Sequence, residues 1–169
     1  IGFFVKDFIS NYDLEISTFA SLEAQISSLS DDIAYNNHDL EDGLRAGLFT
    51  IKKINEIPFI SNLIKEHTKK IGYYRKEIVI SQIVRELINQ MVIDVIETSS
   101  KKILKFKPKS IKDIYNQSST IVDFSQKMKN TDAQIKDFLK RRMYNHKSVI
   151  INTDKGKIII NNLFKSLLK

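Results

Sequence analysis

From Ser21 onward the apolar positions fall at steps of three and four, at Leu22, Ile26, Leu29, Ile33 and then Leu40. That spacing keeps side chains on one face of an α-helix, so the segment is expected to be a helix packed along one side. Gly43 is expected to break or re-aim it, with a second short helix over Leu44–Thr50. Pro58 has the backbone angle of a helix's first turn and is expected to open a helix reaching Ile71. Arg75–Leu104 is the longest periodic stretch, with Ile80, Val84, Leu87, Met91, Val95 and Ile96 on one side, and Pro108 closes it. A short helix is expected at Ser110–Tyr115. The apolar patch Ile121, Val122 and Phe124 has no clear period.

Two more helices complete the pattern. Thr131–Asn145 carries an apolar face of Ile135, Phe138, Leu139 and Met143, with Thr131 able to cap it by accepting a bond from an unpaired backbone N–H. Asp154–Leu168 carries Ile159, Ile160, Leu163, Phe164 and Leu167, although the β-branched run Ile158–Ile160 also suits a strand. Ile1–Ser17 has aromatics without helical spacing and is expected to be irregular, with one short helix. The expected fold is all-α, one helical unit over residues 1–169. Within it, 21–50 carries the chemistry, 75–105 is the long helix and 131–169 forms the C-terminal helices.

Composition narrows the function classes. Zero cysteines remove disulfides, thiolate nucleophiles and cysteine-held zinc together, and five glycines are too dispersed for a phosphate-cradling loop. No apolar run reaches the roughly 18 residues of a membrane span. The expected compartment is cytoplasmic, with no membrane partner. The first residue is Ile1, and the chain is expected to be a piece of something longer. A net charge of +7 favours polyanionic partners without separating nucleotides from nucleic acid.

Residues 21–49 read SLEAQISSLSDDIAYNNHDLEDGLRAGLF. Asp31, Tyr35 and Asp39 stand at i, i+4 and i+8, within an arc of about 80° on a helix, and His38 falls about 20° from Asp31. Two carboxylates, a phenol and an imidazole on one stripe suit hard or borderline divalent cations, which take oxygen and nitrogen donors. The same acids also suit a solvated helix face. With His38, His67 and His146 the only histidines, the sequence shows no complete metal set.

This block resembles the dGTP triphosphohydrolase (dGTPase-like) branch of the HD-domain phosphohydrolases, whose motif has the form S-x-E-A-Q…D-x-I-A-Y-x-x-H-D-x-x-D-G. The stretches VRELINQMVIDVIETS and IKDFLKRRMYNHKSVI resemble that branch's C-terminal region less specifically. The resemblance implies the C-terminal portion of an irregular HD-type helical bundle. It also implies an enzyme in which a divalent metal, whether Mn, Mg, Fe, Ni or Zn, activates water against a deoxynucleoside triphosphate, releasing deoxyguanosine and tripolyphosphate from dGTP. The family's metal is held by an upstream His, an upstream His-Asp pair and a downstream Asp.

By that resemblance Asp31 is the downstream metal ligand, Tyr35 packs on the deoxyribose, and Asp39 accepts a hydrogen bond from the 3′-hydroxyl. Arg85 and Asn89 lie where related enzymes contact phosphates and the sugar or base. His38 and Arg45 are either structural or phosphate-contacting. Asp31, Tyr35 and Asp39 are expected to point into a common cleft. The upstream ligands are absent, so the chain alone is expected to be inactive and either to self-associate as a homo-oligomer or to need a complementary N-terminal chain. The alternatives are a catalytically dead helical interaction module and a basic nucleic-acid-binding domain reading through Tyr73–Arg75.

Overall fold

A computed structural model describes residues 3–12, 14–71 and 75–168, and among them every regular element is helical. The elements are α1 (Phe3–Asn11), α2 (Leu22–Arg45), α3 (Ile51–Ile54), α4 (Pro58–Ile71), α5 (Lys76–Phe106), α6 (Ile111–Tyr115) and α7 (Gln126–Leu139). A π-helical turn, Lys140–Tyr144, carries α7 on to α8 (Lys147–Leu167). The all-α expectation holds, and Ile158–Ile160 is helix rather than strand. Tyr73 and Tyr74 lie outside the described residues.

The core forms where α2 and α5 cross, with α4 and α7 closing it. α2 contributes Ile33, Leu40 and Leu44, α5 contributes Ile80, Leu87 and Met91, and α7 contributes Ile135, Phe138 and Leu139. The steps of three and four read from the sequence therefore describe real buried faces. Ile26, expected on the apolar face of α2, is 46% exposed, and Ile96 is a second exception. It was grouped with the inner face of α5 but is exposed, because at about 100° per residue it turns past the stripe that ends on Val95.

Gly43 does not break α2. The helix runs through it to Arg45 and ends in a Schellman turn, in which Leu48 N–H bonds to Gly43 O at 2.9 Å and Gly47 N–H to Leu44 O at 3.3 Å. Gly47 supplies the left-handed residue this turn needs, at φ 72°. Leu44–Thr50 is accordingly a helix end and a turn, and the short helix is α3.

Gly43 is instead a close-approach site, since a Cβ there would lie 2.3 Å from the ring of Phe49. That ring is buried edge-on against Phe138, with centroids 4.9 Å apart, and has nowhere to go. Gly43→Ala gains about 1 kcal/mol of helix propensity but overpacks the core, which costs about 1–3 kcal/mol or more. The clash should win. Chemical denaturation is expected to show Gly43→Ala destabilised, and to show the loss relieved when Phe49→Leu is added.

The α7 boundary also differs from expectation. The helix starts five residues before Thr131, capped by Ser125, whose Oγ accepts from Met128 N–H at 3.2 Å. Ser125 is fixed in turn by Asp94 on α5, which accepts its N–H at 2.7 Å and its hydroxyl at 2.6 Å. Thr131 is buried inside the helix, donating to Lys127 O.

The patch at Ile121, Val122 and Phe124 is neither helix nor strand, yet its side chains are buried. Its backbone donors are met by side chains. Gln25 Oε1 accepts from Ile121 and Val122, Ser99 Oγ from Asp123, and Asp123 Oδ1 from Phe124. Burial alone would raise the Asp123 carboxyl, but hydrogen bonds from Lys129 and Lys102 outweigh it and hold the group below its usual range. This anchor is therefore fully present above the ordinary Asp pKa and is lost as pH falls through the lowered one.

α8 has no buried residue. Its apolar residues follow helical spacing, but Ile159, Ile160, Leu163, Phe164 and Leu167 are 59–76% exposed.

Candidate functional site

α2 places the candidate groups by the same geometry that builds the core. Its buried stripe runs through Ile33, Asn37, Leu40 and Leu44. Asp31, Tyr35 and His38 stand about 180° from that stripe, so burying the apolar face turns them outward. All three are exposed, Tyr35 at 60%. Asp31, Tyr35 and Asp39 do lie on one continuous helix, but Asp31 and Tyr35 look onto solvent rather than into a cleft among the described residues.

Asp31 is exposed and makes no hydrogen bond or ion pair with any described residue. Its neighbour Asp32 is engaged, accepting from Lys136 Nζ at 3.0 Å. Lys136 also reaches Asp132 at 2.9 Å, and Asp132 accepts from Asn36 at 3.2 Å, which ties α2 to α7 beside the stripe. Burial works against the Lys136 charge, yet its bonds to Asp132 and Asp32 raise its pKa above the ordinary value.

Asp39 sits at the edge of the stripe and is half-buried. Its Oδ2 accepts a hydrogen bond from the hydroxyl of Tyr144, the last residue of the π-helical turn. The Tyr144 phenol is pushed well above its usual range by burial first, then by the bond to Asp39, with the Asp39 charge and Tyr35 adding. It therefore stays protonated and donating at neutral pH. Tyr35, Asp39 and Tyr144 thus form one cluster, and Tyr144 was not among the residues singled out from the sequence.

The remaining candidates divide. His38 and Arg85 line one groove of about 300 Å³ between α2 and α5, with Glu41, Ser81, Val84 and Ile88. Asn89 is exposed on the side of α5 away from the core and does not line that groove. Arg45 joins α2 to α5, donating to Glu41 Oε1 at 2.6 Å and to Ser81 Oγ at 2.7 Å. The Arg45 bond is the main reason the Glu41 carboxyl lies below its usual range. These bonds hold the Arg45 guanidinium between the two helices, whereas Arg85 in the groove makes no hydrogen bond or ion pair with any described residue.

A divalent metal was expected from the resemblance. Asp31 offers one hard oxygen donor of the right kind. No group of three or more His, Cys, Asp and Glu that could hold an ion occurs among the described residues. Among the described residues Asp31 therefore does not belong to any such group of three.

Residues 122–169 match the phosphohydrolase-associated domain. A deoxyguanosinetriphosphate triphosphohydrolase-like protein of Pelagibacter ubique is 43% identical over 151 residues, 89% of this chain and 41% of the relative. One of Rhizobium meliloti is 37% identical over 97% of this chain and 40% of its own length. One of Brucella ovis is 38% identical over 95% of this chain and 40% of its own length. The chain spans about two fifths of the length of the curated relatives it matches. With the motif helix, the helical fold and these relatives in agreement, the chain belongs to the deoxyguanosinetriphosphate triphosphohydrolase-like proteins, as the C-terminal part of an HD-type phosphohydrolase.

Proposed function

We propose that this chain forms the sugar-facing part of a metal-dependent deoxynucleoside triphosphate triphosphohydrolase that converts dGTP to deoxyguanosine and tripolyphosphate. The observation that carries the reading is the exposed stripe of α2, where Asp31 and Tyr35 stand opposite the core at single-turn spacing and Asp39 follows one turn on at the stripe's half-buried edge. Groups of this kind turned away from a well-packed face contribute little to folding. Their arrangement suits a ligand held between this face and the part of the protein beyond this chain.

In this reading Asp31 gives one carboxylate to a divalent cation whose other ligands lie outside the chain. Such a cation supplies hydroxide near neutral pH and offsets charge on the phosphoryl oxygens. Tyr35 lays its ring along the deoxyribose and crowds the 2′ position, and Asp39 accepts from the 3′-hydroxyl. Arg85, on the groove shared with His38, presents a fork of donors suited to phosphate oxygens. Asn89 stands one turn farther along α5 and reaches toward the sugar or base.

The role of Tyr35 has a specific test. Tyr35→Ala in the full-length protein is expected to narrow the preference for dGTP over GTP by about tenfold or more, because the crowding at C2′ is gone. Its stability should change little, since an exposed ring buries little surface. Competition between the two nucleotides measures the ratio, and an unchanged ratio would remove Tyr35 from the sugar site. The alternative of a helical interaction module draws its support from α8, whose apolar face no described residue covers.

A further inference from the structure

Tyr144 lies 105 residues after Asp39 and belongs to the segment matching the phosphohydrolase-associated domain, not to the motif helix. Its approach depends on the π-helical turn, closed by the bond from Asn145 N–H to Lys140 O at 3.2 Å. The wider turn shifts the side chain relative to a continued α-helix, and such bulges are frequent at functional sites. Here the shift brings a phenol onto Asp39 and beside Tyr35.

A carboxylate has two oxygens and about four lone-pair positions. Tyr144 uses Oδ2, while Oδ1 makes no hydrogen bond with any described residue. A carboxylate held at one oxygen has its χ2 angle fixed, and its second oxygen then points in one direction rather than sampling several. Asp39 has no other bond to a described residue that would do this. At 37% exposure Tyr144 remains open to a ligand approaching the stripe.

We propose that Tyr144 is a positioning residue for Asp39, holding one carboxylate oxygen so that the other is aimed at the 3′-hydroxyl of the bound nucleotide. Selection for a 3′-hydroxyl is then set jointly by the motif helix and the phosphohydrolase-associated segment. The inference rests on the reading of Asp39 as the acceptor for that hydroxyl.

The test uses the full-length protein and compares kcat/KM for dGTP and for 2′,3′-dideoxyGTP, which lacks the hydroxyl. The wild type is expected to favour dGTP, and Asp39→Ala to abolish the preference. Tyr144→Phe keeps the ring and removes only the donor. It is expected to reduce the preference by about tenfold or more, mainly through KM for dGTP, with an unchanged unfolding temperature.

In an Asp39→Ala background Tyr144→Phe should have no further effect on the ratio, because the two act as one unit. If Asp39→Ala abolishes the preference and Tyr144→Phe leaves it intact, Tyr144 has no positioning role. Equal and additive losses in the two backgrounds overturn the inference in the same way. An unchanged ratio in Asp39→Ala itself overturns the reading of Asp39, and this inference with it.

Discussion

Replacing Asp31 with alanine in the full-length protein is expected to lower metal-dependent dGTP turnover by more than about a hundredfold while leaving stability within about 0.5 kcal/mol of wild type. The two halves of this expectation have separate physical causes. Asp31 has no partner among the described residues and sits on the solvent face of α2, so its removal takes away no folding contact, and alanine is the better helix former. Loss of a group that merely supports a metal ligand already costs about 10–100-fold, and loss of the ligand itself should exceed that. Steady-state turnover with Mn²⁺ and thermal unfolding of the same samples measure both. Full turnover in Asp31→Ala would return Asp31 to the class of solvated helix acids.

The second large effect falls on stability and far from the stripe. Gln25 is buried on α2, where its amide oxygen accepts from Ile121 and Val122 N–H at 3.0 and 3.1 Å and its amide nitrogen donates to Ala20 O at 2.7 Å. Gln25→Leu keeps the bulk but leaves two buried donors and one acceptor without partners. Each such group costs about 1–3 kcal/mol, so a loss of about 2–4 kcal/mol is expected after partial relaxation. Gln25→Glu retains the acceptor oxygens and should recover part of the loss at neutral pH. Denaturant midpoints give the energies, and hydrogen exchange at the Ile121 and Val122 amides shows whether protection disappears at those two positions. Retained protection in Gln25→Leu would mean that the loop's donors are satisfied elsewhere.

Local pattern carried most of the fold. Steps of three and four identified the faces of α2, α5 and α7, because each of these helices buries one stripe against the others. The failures have tertiary causes. Gly43 has the propensity of a breaker, but the chain uses its missing side chain to seat Phe49. Thr131 and Ser125 have the same capping chemistry, and Asp94, thirty-one residues away, decides between them. The apolar patch at Ile121–Phe124 had no period because its donors are met one at a time by side chains of other elements.

The candidate site was legible in part for the same reason. Asp31, Tyr35 and Asp39 lie on one helix, where sequence spacing translates directly into a shared face. Nothing local links Asp39 to Tyr144, since the connection is made by a π-helical turn that sequence spacing does not reveal. Arg85 and Asn89 share i, i+4 spacing, yet only Arg85 borders the groove with His38, because the packing of α2 against α5 decides which of the two faces it. Arg45 matched the motif block with a structural and a phosphate-contacting reading both open, and its bonds to Glu41 and Ser81 join α2 to α5.

The central claim is that the α2 stripe is one wall of a triphosphohydrolase site completed outside this chain, and phosphorus NMR of dGTP incubated with Mn²⁺ tests it most directly. The full-length protein is predicted to release inorganic tripolyphosphate and deoxyguanosine in one step, and the 169-residue chain alone to release none. Formation of dGDP with phosphate or of dGMP with pyrophosphate by the full-length protein, or tripolyphosphate from this chain by itself, would contradict it.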